Sequence, residues 1–162
     1  MRSASATPPS RPARAVAWGG LLCGVLDTAA AFLIYGAMGL PPERMLQGIS
    51  SGLLGRRAYQ GGAATALLGL LLEFAIAYGA AAVYVGASRS LTFLTRHAIA
   101  AGLLYGIAVY WFMQLVVLPL SAYGGRPFSL RLALIGIAIH MLCVGLPIAL
   151  AAQRFAPAPQ AC

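Results

Sequence analysis

The sequence predicts an all-α fold: a polytopic membrane protein with four transmembrane helices in a bundle and a short amphipathic interfacial helix between helices 1 and 2. Three observations predict it. First, the 162 residues are 60% hydrophobic and only 9% charged, with a mean hydropathy of +0.83. A soluble domain carries about 25% charged residues, so too little polar surface is left to cover a water-soluble globule. Second, four apolar stretches each reach the ~20 residues a helix needs to cross ~30 Å of hydrocarbon. Third, Asp27, Glu73 and His140 each fall near the middle of a different stretch. A charge at that depth costs roughly 2.5–3.5 kcal/mol on insertion scales, and such residues usually face a protein interior.

Residues 1–14, MRSASATPPSRPAR, are rich in Pro, Ser, Ala and Arg. They have no apolar area to bury and read as a disordered tail. The first span follows at about 15–40. It differs from a cleaved signal peptide because Asp27 interrupts the apolar core and the run continues past Ala29-Ala30-Ala31 to Leu40. Pro41-Pro42 stops it. In RMLQGISSGLLG, Met45, Leu46, Ile49 and Leu53 recur at helical spacing, with Arg44, Gln47, Ser50 and Ser51 between them. That pattern predicts an amphipathic helix over about 44–54, lying at the membrane interface or, on a sharper reading, dipping toward the polar centre. Glycines 48, 52 and 55 weaken it as a free helix, so it packs on the bundle. The remaining spans are expected at about 62–87, 98–120 and 130–152. Gly124-Gly125 and Pro127 mark a turn before the fourth, and 153–162 form a short tail.

Within a bilayer every backbone group must be satisfied inside its own segment, so each span is a helix. Four spans place both termini on one side. That side holds Arg2, Arg11, Arg14, Arg89, Arg96 and Arg154, and the other holds Arg44, Arg56, Arg57, Arg126 and Arg131. The excess, six against five, favours a cytoplasmic N-terminus. All basic residues are arginines scattered singly or in pairs. There is no dense basic block, and no nucleic-acid partner is expected.

Helical spacing turns the three ionisable residues inward. Glu73 shares a face with Gly62, Ala66, Gly69, Ala77, Ala80 and Tyr84. Asp27 shares one with Gly20, Cys23, Gly24, Ala30 and Ala31, and His140 with Ala133, Gly136, Cys143 and Pro147. These are stripes of small residues, the kind that let membrane helices approach closely. Gly20–Gly24 and Gly102–Gly106 also match GxxxG spacing. The third span contributes Tyr105, Tyr110 and Gln114, the last two i,i+4 neighbours. The expected centre is therefore an intramembrane polar cluster of Asp27, Glu73, His140, Tyr110 and Gln114.

Three roles fit such a cluster. It can hold four helices in register through hydrogen bonds. It can form a proton or cation path, or a small-solute site, since acids and a histidine at midplane are the usual materials of relays. It can bind a metal or haem for redox chemistry, with Cys23 and Cys143 as further candidate ligands. Against the last stand the absence of CxxC, of HExxH and of a second core histidine. A Cys23–Cys143 disulfide would require a short Cα separation, and Cys162 is expected to be free. No cofactor is predicted. With three acids in the chain and no phosphate loop, dinucleotide fingerprint or GxSxG, a conventional hydrolase or transferase is not expected. The expected partners are the bilayer itself and a homo-oligomer or larger membrane assembly. In the latter case the chain would be a non-catalytic accessory subunit.

At RMLQGISSGLLG, VVLPLS, RPFS and IHMLCVGLPIALA the chain resembles a family of small four-helix bacterial inner-membrane proteins with no established activity. Its last two helices resemble, more distantly, the YagU type. The resemblance covers nearly the whole chain after the tail. It implies four helices and a bacterial inner-membrane location, not a mechanism. It also implies that the Glu73 position often carries His, so a pair-former or ligand suits that site better than a mechanism that demands a carboxylate.

Overall fold

The structure is a computed structural model that describes residues 11–124 and 129–155. The first ten residues of the expected tail, the Gly125 and Pro127 part of the expected turn, Cys162 and most of the C-terminal tail lie outside the described residues. Among the described residues the chain is helical throughout, without strands. Four helices are long and apolar enough to cross a membrane: Arg11–Ala37, Gly62–Ser88, Ala98–Leu120 and Leu130–Phe155, called spans 1 to 4 below. This is the make-up of a multi-pass integral membrane protein. Large apolar side chains such as Leu33, Leu104 and Leu120 point outward, as they must where lipid is the solvent.

Span 1 differs from expectation at both ends. Residues 11–14, read as tail, are helical. Pro12 sits in the first turn, where its missing N–H has no helical acceptor to serve. The span stops at Ala37 rather than Leu40 because Gly39 turns left-handed at φ +85°. Gly39 N then donates to Gly36 O at 2.9 Å, and Leu40 N to Tyr35 O at 2.9 Å, which caps the last carbonyls.

The connecting helix, Pro42–Leu54, begins with a proline at its first position and ends at Gly55, φ +58°. Its packing is the reverse of a soluble amphipathic helix. Gln47, Ser50 and Ser51 are buried, while Leu53 is 64% exposed. The polar face turns onto span 2: Gln47 Nε2 donates to Gly62 O at 3.1 Å and to Glu43 Oε1 at 3.2 Å. The serine hydroxyls donate to their own helix, Ser50 to Gln47 O and Ser51 to Gly48 O. The Leu46 carbonyl lies against Gly69, where a Cβ would have no room. Gly69 is seven residues inside span 2, about 10 Å along its axis. At its other end the helix accepts Ala122 N on Gly52 O, 2.8 Å, and so bridges the ends of spans 2 and 3.

Span 1 packs between spans 2 and 4, and span 4 carries span 3 on its other side. Spans 3 and 4 meet backbone to backbone. Gly102 and Gly106, the GxxxG pair of the sequence, face Gly145, and a Cβ on any of the three would run into main-chain atoms of the other span. Gly20 and Gly24 instead accommodate the rings of Tyr78 and Phe74. Each of spans 3 and 4 contains one widened π-turn, Met113–Val117 and His140–Gly145. Both end two residues before a proline, Pro119 and Pro147. A proline lacks the N–H for the preceding turn and its ring crowds the carbonyl there, and widening the turn absorbs the misfit.

The apolar core occupies only the half of the bundle that carries the termini. Cys23, Ala77, Ala81, Tyr84, Ile148 and Ala149 are its centre. Tyr84 stacks edge-on with Tyr105 at 4.9 Å and donates to Leu94 O at 3.0 Å. Tyr105 OH donates to Ala80 O at 2.8 Å, tying span 3 to span 2. Gln153 Nε2 reaches Thr95 O at 2.9 Å and ties the short 88–97 connection to span 4. Removing this span 2–span 3 hydroxyl contact with Tyr105→Phe is expected to cost about 1 kcal/mol, read as a lower thermal midpoint in detergent. A loss of several kcal/mol would mean that the hydroxyl holds more than this single carbonyl.

Candidate functional site

The other half of the bundle is open. A cleft of about 410 Å³ runs between spans 1, 3 and 4. Its inner end is formed by Asp27, Tyr110, Gly136 and His140, its outer end by Tyr35, Leu118, Tyr123 and Ser129. Asp27, Ala31 and Tyr35 are successive i,i+4 positions of span 1, so one stripe leads from the mouth to mid-depth over about 12 Å. The cleft thus reaches the centre from the side of the 42–61 connection and of residues 121–124. It is closed toward the termini by the core.

Four of the five residues expected in the polar cluster line this cleft: Asp27, Tyr110, Gln114 and His140. Glu73 does not. It stands behind Asp27, on span 2, with the two carboxyl groups in hydrogen-bonding range of each other. Asp27 therefore separates the cleft from Glu73. No hydrogen bond holds Asp27 Oδ1, which is buried without a partner among the described residues, as is the neighbouring Thr28 Oγ1. A buried, unpaired polar atom costs about 1–3 kcal/mol and calls for an explanation.

His140 opens the widened turn of span 4. Its Nδ1 lies 2.9 Å from Gly136 O. A carbonyl only accepts, so Nδ1 carries the hydrogen, and Nε2 is the nitrogen left for another partner. The ring packs edge-on against Tyr110 at 5.4 Å. Tyr110 is held in place because Gly136 has no side chain, and a Cβ there would stand 2.6 Å from the ring. His140 thus shares the cleft with Asp27, while its hydrogen bond goes to its own helix and not to either acid.

Cys23 is buried in the apolar core, Cys143 is half-buried, and both are free thiols, so the conceivable disulfide is not formed. Regular helical spacing places Cys143 on the inner face. Cys143 is half-buried there, and the widened turn also buries Val144 and Gly145 beside it. Among the described residues no three His, Cys, Asp or Glu side chains gather as a ligand set. Tyr35 and Tyr123 are cleft residues the sequence reading did not single out. Tyr35 was legible as the i+8 position from Asp27, whereas Tyr123 lies in a connection without periodicity.

No protein-family model matches the chain, and neither does any curated protein or solved structure. The cleft and its chemistry therefore carry the functional reading alone.

Proposed function

We infer that the protein handles a small cation in the membrane, exchanging it against a proton at the Asp27–Glu73 pair. One observation supports this above the others. In a chain of net charge +8, the one carboxylate among the described cleft-lining residues is Asp27, and none of those described residues is an arginine. Tyr35, Tyr110 and His140 are among the cleft's lining residues, and aromatic rings suit an organic cation. Asp27 meets the solute from one side and Glu73 from the other. A proton shared by the two carboxyl groups leaves when a cation arrives, because two adjacent anionic charges are costly in a medium of low dielectric. His140, with Nε2 available, is the group that passes a proton between this pair and the cleft.

The bundle does not need the acids as glue. The glycine contacts of spans 3 and 4, the Leu46–Gly69 contact and the Tyr105–Ala80 bond already join the helices. We further infer an inner-membrane location with the termini in the cytoplasm, supported by the arginine asymmetry. The cleft then opens to the opposite side. Passage through the membrane requires span 3, which leans mainly on span 4, to rock against it, or a second copy to complete the path.

The test is reconstitution into liposomes that trap a pH-sensitive dye. An imposed tetramethylammonium gradient is expected to drive a protein-dependent pH change of opposite sign to the cation movement. Neither cation nor proton movement above that of empty liposomes, under gradients of either direction, would sink the reading.

A further inference from the structure

A second concavity lies on the outer surface between spans 1 and 4, away from the polar cleft. It measures about 470 Å³. Its floor is apolar: Trp18, Leu22 and Leu26 from span 1 face Leu142, Leu146 and Leu150 from span 4. Among the described residues, the one charged side chain that lines it is Arg154, at the terminal end. We propose that this groove binds one anionic phospholipid, with an acyl chain along the leucines and the phosphate between Arg154 and Arg14.

Dimensions and charge both favour this occupant. Trp18, Leu22 and Leu26 form an i,i+4 ridge whose ends are about 12 Å apart, close to the roughly 15 Å of one leaflet's hydrocarbon. Leu26 adjoins mid-depth Asp27, so Trp18 falls at the headgroup boundary, the level an indole prefers. Arg14 is one turn further out on the same ridge. Arg14 and Arg154 are exposed, and neither has a hydrogen bond or ion pair among the described residues. Arg11, Arg89 and Arg96 share this end of the molecule. The chain's three acids, Asp27, Glu43 and Glu73, all lie elsewhere. Five guanidinium groups without an acidic side chain near them among the described residues make this end a surface that attracts anions. The leaflet surface supplies these as phospholipid headgroups, and a guanidinium pairs with phosphate oxygens in a fork geometry. The Trp18–Phe155 end is where such a headgroup and the upper acyl carbons meet.

The sequence itself provides the probe. The chain has two tryptophans, and only Trp18 lines the groove. In the Trp111→Phe variant, purified in a neutral detergent, Trp18 is the sole indole. Phosphatidylglycerol with brominated acyl chains is expected to quench it at about one-tenth the concentration that brominated phosphatidylcholine requires. Adding Arg14→Gln and Arg154→Gln should bring the two lipids to the same midpoint while leaving the quenching itself. Equal midpoints before those substitutions would overturn the proposal, and so would a preference that survives them. Free glycerol phosphate that displaced the lipid at low millimolar concentration would show a headgroup site without an acyl groove, which also overturns it. Should Trp111→Phe not fold, Trp18→Phe gives the converse readout. Its remaining signal is expected to show no difference between the lipids, and a retained difference would place the site elsewhere.

Discussion

Gly145→Ala is expected to break the packing of spans 3 and 4 and to lower stability by about 3 kcal/mol or more, the upper range for forced overpacking. The added Cβ would run into the Gly102 carbonyl oxygen and lie 2.6 Å from the Gly106 nitrogen. Both are main-chain atoms in the middle of a helix, so no side-chain rotation relieves the contact. The helices must move apart, and the pairing that places His140 and Tyr110 at the cleft goes with them. Gly79→Ala is the matched control. Nothing lies within 4 Å of its Cβ position, and the change is expected to be neutral or stabilising by up to about 1 kcal/mol through helix propensity. Thermal unfolding in detergent, with size-exclusion profiles to report assembly, separates the two. A Gly145→Ala protein as stable as the wild type would mean that these backbones do not touch.

Asp27→Asn is expected to abolish cation-linked proton movement while leaving the protein as stable as before or more so. Asparagine keeps the shape and removes the charge. Oδ1 makes no hydrogen bond among the described residues, and an amide can still hydrogen-bond the neighbouring Glu73, so little bonding is lost. Relief from holding a charge at mid-depth is worth up to a few kcal/mol. A structural role predicts the opposite, since removing one member of a required buried pair costs about 3–5 kcal/mol. Glu73→Gln should behave differently in one respect. Glu73 does not line the cleft, so tetramethylammonium binding is expected to persist while the coupled proton release is lost. Melting curves and liposome flux on the same preparations decide between the roles. A destabilised, poorly assembled Asp27→Asn protein would assign the pair to the fold.

Much of this arrangement was legible because hydrophobic length and small-residue stripes obey simple geometry. The stripe through Ala66, Gly69, Ala77 and Tyr84 is the buried face of span 2, and the stripe through Gly20, Cys23 and Gly24 is that of span 1. Where the period changes, the pattern says less: the widened turn before Pro147 also buries Val144 and Gly145, which the sequence reading did not single out. The cleft was illegible for a different reason. Inward-facing residues can meet or stand apart, and pattern alone does not distinguish them. It therefore grouped Glu73 with His140, although Asp27 lies between Glu73 and the cleft. The 42–54 segment was legible as an amphipathic helix, but not that its polar side would be the buried one. Pattern reports two faces, and the solvent decides which of them turns in.

That inverted helix bears on how the protein is made. Gln47 Nε2 and the Ser50 and Ser51 hydroxyls are bonded only to span 2 and to their own helix, while Leu53 and Leu54 face outward. During synthesis the segment leaves the ribosome before residues 62–88 have been inserted. It has no stable resting place in the hydrocarbon until they arrive. Its natural course is to wait at the surface and slide into place once the second span is inserted, so biogenesis runs through a late docking step. A chain truncated after residue 61 would therefore leave this segment within reach of protease, while one extended through residue 88 would shield it.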